Sequence, residues 1–316
     1  MMQNKKQQAY APGVFATIAA GFDLATKHFW LILIPVFLDS FLWLGPRLSL
    51  RLLLEQMAGL WQQEGAMAAM GEQLMLLAPR TNLFTSLSVP LFGVPVLMAG
   101  ASPEMTPLTP LVWELDSIWT MSGLFLLLSV VGLLLTAVYL TLIARTIQTD
   151  KTAPGMPAGQ MAGRILFVWL RLIGVALVFI FFMMLLYIPL ALLSMVVSLL
   201  SASIGLLVLL IGPLLVVWVV LACYFVPQGL VVYGRSPVQA LLTSLQLIRY
   251  HGQTAMGLIL AVVIIGGVLD QFLVLMEDGS WITFISILAH AFISTALIAA
   301  TFIYYRDRVT AVVRPQ

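Results

Sequence analysis

Polar and apolar positions in this chain separate into blocks far longer than the short alternations of a water-soluble fold. Apolar runs cover 28–44, 118–143, 172–197, 204–226, 254–275 and 281–305. A bilayer core about 30 Å thick needs roughly 20 apolar residues per spanning helix, so the pattern predicts about six transmembrane helices. The first run, at 17 residues, is the shortest. The chain from Leu172 to Gln228 carries no charge, and Ser198, Ser201, Ser203 and Gly205 supply the turn that divides it into the third and fourth spans, a tight hairpin. The fold class is all-α: a polytopic membrane bundle with additional interfacial amphipathic helices.

Shorter periodic stretches lie between the spans. In 48–77, Leu50, Leu53, Leu54, Met57 and Trp61 recur near helical spacing with Glu55, Gln62 and Glu64 between them, the pattern of a surface helix. Ser236 and Pro237 suit an N-cap and first helical turn, and Val238, Leu241, Leu242, Leu245 and Ile248 follow on one face. Near the N-terminus Pro12 opens a similar stretch through Val14, Ile18 and Phe22. Lys5, Lys6 and the short apolar 13–21 resemble a signal peptide, yet they run directly into Asp23 and Lys27, so an uncleaved amphipathic helix is expected.

Cations fix the expected orientation, because Lys and Arg near spans are retained on the cytoplasmic side. With the N-terminus inside, twelve of the fifteen Lys and Arg residues fall at cytoplasmic or inner-boundary positions, and only Arg47, Arg51 and Arg80 fall outside. The predicted order is a cytoplasmic N-terminus (1–27), span one (28–44), an extracytoplasmic loop (45–117), span two (118–143) and a cytoplasmic linker (144–171). Spans three (172–197) and four (204–226), a cytoplasmic amphipathic segment (227–253), spans five (254–275) and six (281–305) and a cytoplasmic tail (306–316) complete it. Residues 83–100 are also uncharged, but Pro90, Gly93 and Pro95 would interrupt a helix there, and spanning would move nine of the twelve inner cations outside. The segment is read as an interfacial or re-entrant part of the outer loop.

Composition narrows the function classes. Residues with hydrophobic side chains make up 61% and charged ones 9%, which excludes an ordinary soluble domain. The scattered cations make nucleic acid an unsuitable partner. Cys223 is the one cysteine, which rules out an intramolecular disulfide and a cysteine zinc cluster. No GxSxG, HExxH or P-loop occurs, and the three histidines sit on separate segments, so no catalytic residue, metal site or cofactor is assigned. Gly155, Gly159 and Gly163 have GxxxG spacing, but Pro154 and Pro157 place them in a linker.

Ionisable groups inside spans are the remaining chemical signal, since each costs several kcal/mol in lipid unless it has a partner or a function. They are Asp39, Asp270 and His290. The sequence 38–44 (LDSFLWL) matches 269–275 (LDQFLVL) at five of seven positions. Each copy closes a unit of Pro, amphipathic helix, a His at the membrane boundary (His28, His251) and an outward span. The echo places Asp39 and Asp270 at similar depth, where His290 is expected to approach Asp270. Two roles stay open for the three groups: structural pairing at the interface, or an ion, proton or ligand site. Arg164, Arg171 and Arg249 lie at the inner boundary, where snorkelling to lipid headgroups is expected.

From Tyr224-Phe225-Val226-Pro227 through Ser236 to Arg249, a span end, a short basic turn and an A-L-x-x-S-x-x-L-x-R helix follow one another. This pattern resembles the membrane domain of glycerophosphoryl diester phosphodiesterases and related six-helix bacterial inner-membrane proteins, and the stretch from Gly21-Phe22-Asp23 to Pro35 is compatible with it. The resemblance implies a bacterial cytoplasmic membrane and surface helices between spans. It implies no catalysis, because the activity in that group belongs to a separate soluble barrel. The long outer loop departs from the pattern. Together the sequence predicts a non-enzymatic scaffold or accessory subunit. Its expected partners are membrane lipid and a protein bound through 45–117 or the cytoplasmic amphipathic helices. The competing class is a transporter or permease component with Asp39, Asp270 and His290 near the substrate route.

Overall fold

The computed structural model describes residues 12–62, 68–89, 93–99, 103, 105–148, 157–274 and 280–313, with the side chain of Asp270 outside the described set. Lys5, Lys6, Pro90, Lys151, Gly155, the 277–279 loop and Arg314 also lie outside it. The chain is an all-α bundle with one short strand pair among the described residues. Among the described residues five helices are long and apolar enough to cross a membrane, or six when the first two helices count as one bent span.

The first two helices form a bent pair. Helix α1 (Val14–Lys27) ends at His28, a 3-10 turn covers Phe29–Ile32 and α2 (Leu33–Leu44) follows. The two arms meet at 92°. Helix α1 lies against the last helix, α11 (Ile282–Val313), through small residues that let the backbones approach. A Cβ on Gly21 would stand 2.3 Å from the Ala296 carbonyl oxygen. At the far end Arg308 donates to the Pro12 carbonyl at 3.1 Å.

After α5 (Ile118–Gln148), helix α6 runs unbroken from Ala158 to Ser198 despite Pro189. The return leg is broken twice, into α7 (Ala202–Leu209), α8 (Ile211–Cys223) and α9 (Val226–Tyr233). Each break lies just before a proline, Pro213 or Pro227, whose missing N–H leaves a carbonyl one turn back unpaired. Of the serines expected at the hairpin, Ser198 donates its Oγ to Ser194 O at 2.7 Å and Ser201 stands at the N-cap of α7 without a side-chain bond, while Ser194, one turn earlier, donates its Oγ to the Gly205 carbonyl at 2.7 Å. The apolar window of α6 has no buried residue. Gly234 closes α9 at φ 59°, the left-handed cap that glycine supplies at no steric cost.

Helix α10 (Pro237–Val274) opens with a reciprocal capping box. Gln239 N donates to Ser236 Oγ at 3.4 Å, and Ser236 N donates to Gln239 Oε1 at 3.2 Å. The helix leaves helical geometry at one residue, His251 (φ −123°, ψ 30°), where the sequence places the membrane boundary.

The loop between α2 and α5 is a folded unit. Strands β1 (Arg47–Ser49) and β2 (Val112–Glu114) pair in parallel, with Leu48 opposite Trp113. Helices α3 (Arg51–Gln62) and α4 (Ala68–Leu77) follow β1. Asn82 joins the layers: its Oδ1 accepts from Leu48 N and from Phe84 N, both at 3.1 Å. Beyond it, two short 3-10 turns, Leu83–Leu87 and Leu97–Ala99, fold into the bundle. Val94, Val96, Leu97 and Met98 join the main core cluster, and a Cβ on Gly132 of α5 would lie 2.3 Å from the Leu87 carbonyl.

Candidate functional site

Asp39 sits on α2 five residues before its end and is fully buried. A carboxylate there needs compensation, and the inward-folded loop segment provides it. Asp39 Oδ2 accepts from Leu97 N at 3.0 Å and Oδ1 from Met98 N at 2.8 Å. Both donors belong to the first turn of a 3-10 helix, whose N–H groups have no partner within the helix, so one carboxylate satisfies two orphans. Hydrogen bonds to a charged acceptor are the stronger kind, at about 1.5–3 kcal/mol each.

His290, on α11, brings Nδ1 to 3.7 Å from Asp39 Oδ2. At that distance it is an ion-pair neighbour when protonated and a dipole when neutral. Its carbonyl accepts from Ser294 Oγ at 2.6 Å. A cavity of about 200 Å³ lies beside it, with Pro95, Gly266, His290 and Ser294 in its wall. The structure thus brings His290 to Asp39; the expected approach to Asp270 falls on a side chain outside the described residues. No group of three or more metal-ligating side chains occurs among the described residues.

Further towards the termini, α11 continues to present polar groups inward. Thr295 Oγ1 is hydrogen-bonded to Tyr139 Oη of α5 at 2.8 Å. Thr301 meets Gln228 of α9 at 2.9 Å. With the amide nitrogen turned to the carbonyls of Tyr224 and Phe225, at 3.2 Å each, the Gln228 oxygen accepts from Thr301. This amide therefore ties the turn between α8 and α9 to Thr301 of α11.

The arginines at the other boundary divide. Arg164 donates to the Val231 carbonyl at 2.8 Å, and Arg171 donates to the carbonyls of Gly234 and Arg235. Both guanidinium groups close the C-terminal end of α9, where the helix dipole favours cations. Arg249 is exposed just before the His251 kink. In the loop unit, burial lowers the pKa of Arg47 from its ordinary value, and its Nη2 donates to Pro103 O at 2.8 Å. Exposed Arg51 shows the opposite shift, raised by Glu55 bonded at 2.6 Å.

The sequence reading missed the Leu97 and Met98 N–H donors, the Gln228–Thr301 pair and the Tyr139–Thr295 pair. One signal was available for the first: an uncharged, proline-broken loop segment and a carboxylate one turn inside a span are complementary needs. No family model, curated protein or solved structure matches this chain. What the geometry establishes is a multi-pass integral membrane protein whose buried ionisable pair, Asp39 and His290, meets an inserted loop segment.

Proposed function

We propose that this protein is a non-enzymatic scaffold or accessory subunit of a bacterial inner membrane, with both termini in the cytoplasm, that organises membrane lipid or a protein partner. The observation that carries this reading is the Asp39 clamp. Both carboxylate oxygens are committed to backbone N–H groups, which is the geometry of a fastener. Asp39 is fully buried and lines neither of the cavities near it, so it presents no oxygen to a passing solute. The long lipid-exposed faces of α6, α7 and α8, with Phe181, Leu185, Leu206 and Trp218 all outward, suit contact with lipid or with another helix. The resemblance of 224–249 to a phosphodiesterase membrane domain agrees with a lipid-facing role, and the cation distribution supports the orientation.

A second reading rests on the cavity beside His290, which shares Val262 and Ile298 with a larger one deeper in the bundle. Adjacent cavities suit a transport route. Two measurements separate the readings. Purification in mild detergent followed by intact-complex mass spectrometry should return a reproducible lipid or protein companion; a bare chain in every preparation overturns the scaffold. Solute flux in proteoliposomes that falls on Asp39→Asn, with folding intact, would replace it with the transporter.

A further inference from the structure

A cavity of about 450 Å³ opens where the return leg of the hairpin breaks. Its inner wall contains Leu140, Thr301 and Phe302, and its rim contains Val217 of α8 and Val263 of α10. Both rim residues are more than half exposed, at 55% and 59%, so the opening faces the bilayer between two lipid-facing helices. Pro227 explains why the space exists: α8 stops at Cys223 and the chain turns before α9.

The volume equals about fifteen waters of bulk liquid. Water is a poor occupant, because each buried molecule needs two to four polar partners. Gln228 and Thr301 already satisfy one another, and the rest of the lining is almost wholly aliphatic or aromatic. An empty space of this size forfeits dispersion contacts along its whole wall. At this depth the surrounding solvent is hydrocarbon, present at far higher concentration than any solute, so an occupant needs no large affinity to fill the site.

We infer that this cavity is a lateral binding site for one acyl chain of a bilayer lipid, entered between Val217 and Val263. The inference rests on the lipid-organising reading and gives it a location. Helices α8 and α10 form the gate, the Gln228–Thr301 pair marks the polar limit of the chain, and Gly93 of the inserted loop segment closes part of the wall. The inserted segment and the lipid site are therefore physically continuous.

The test uses the full chain in nanodiscs made with a phosphatidylcholine whose acyl chain carries a photoactivated diazirine. Crosslinked residues are mapped by mass spectrometry. Labelling is expected at Phe302 and Thr301, within the cavity, as well as at Leu214 on the open lipid face. Val262→Phe, which fills the wall, and Val217→Phe, which narrows the rim at an exposed position, should each lower labelling at Phe302 by about tenfold and leave Leu214 unchanged. Labelling at Leu214 with none at Phe302 in the wild type overturns the site. So does equal labelling of Phe302 in wild type and in a Val217→Phe protein that remains folded. If the purified protein retains lipid while Phe302 stays unlabelled, the acyl-chain site falls and the scaffold reading stands.

Discussion

Two stretches of the molecule are built on one plan and end differently. The first runs from Pro12 through α1 to His28 and α2; the second runs from Pro237 to His251 and the rest of α10. In each, fourteen helical residues precede the histidine, Val14–Lys27 and Pro237–Tyr250, and in each the histidine has φ −123°. After the bend they diverge. Phe29–Leu44 covers roughly 26 Å, whereas the helical residues 252–274 cover about 35 Å. The first arm falls short of a bilayer core of about 30 Å, and the loop segment that follows it folds inward beside it. The local pattern is the same up to the bend, and after it the inserted loop segment of the first unit supplies the N–H groups that satisfy Asp39.

The largest expected effect is removal of the Asp39 clamp. Asp39→Ala leaves two buried N–H groups without acceptors and should destabilise the protein by about 3–5 kcal/mol. Thermal unfolding in detergent reads the loss. Labelling of a cysteine introduced at Val96, buried in the wild type, should rise from negligible to rapid. A variant whose Val96→Cys site stays protected would show that the segment is held by packing alone.

Next is Gly21, the contact that holds the first unit to α11. Gly21→Ala places a methyl against the Ala296 carbonyl and the Ala300 side chain, where backbone must move, at a cost of about 1–3 kcal/mol. The second unit has no such contact at Gly266 or Gly267, where nothing lies within 4 Å. Paired melting curves of Gly21→Ala and Gly266→Ala should therefore diverge, and equal curves would remove small-residue packing as the basis of the difference.

The starts of the two units differ in capping by only a few tenths of a kcal/mol, because glycine is nearly as good an N-cap as serine. Ser236 caps α10 through its side chain, whereas Gly13 precedes α1 with no side-chain bond. Ser236→Ala should lower stability by about 1 kcal/mol, measured by unfolding in detergent, and Ser236→Thr should restore most of it.

How much of this was legible in the sequence follows from the range of each interaction. The proline and histidine of each unit act on neighbours within one or two turns, so the α10 cap and the bend at His251 can be read from local residues. The hairpin at Ser198 to Gly205 is legible for the same reason. The 92° bend between α1 and the arm after it is harder, because α1 takes its course from Ala296 and Ala300, about 275 positions beyond Gly21. The Asp39 clamp was half legible: the carboxylate was visible in its apolar run, but its partners are backbone N–H groups of Leu97 and Met98, which no residue type announces. The Gln228–Thr301 pair was hidden because its members stand 73 positions apart and neither residue type points to the other.

The smallest expected effect sharpens the comparison most. Gly252 follows the second histidine, and glycine after a bend invites the view that the bend needs its freedom. Two observations oppose that view. The first unit makes a bend of the same φ with Phe29 in the corresponding place, and a Cβ added at Gly252 would meet nothing within 4 Å. In a helical position, alanine is favoured over glycine by about 1 kcal/mol. Gly252→Ala should therefore leave the protein unchanged or more stable by up to about 1 kcal/mol, with acyl-chain labelling at Phe302 unaffected. A clear loss of stability would mean that the second bend depends on glycine where the first does not, and that the two units reach the same backbone angle by different means.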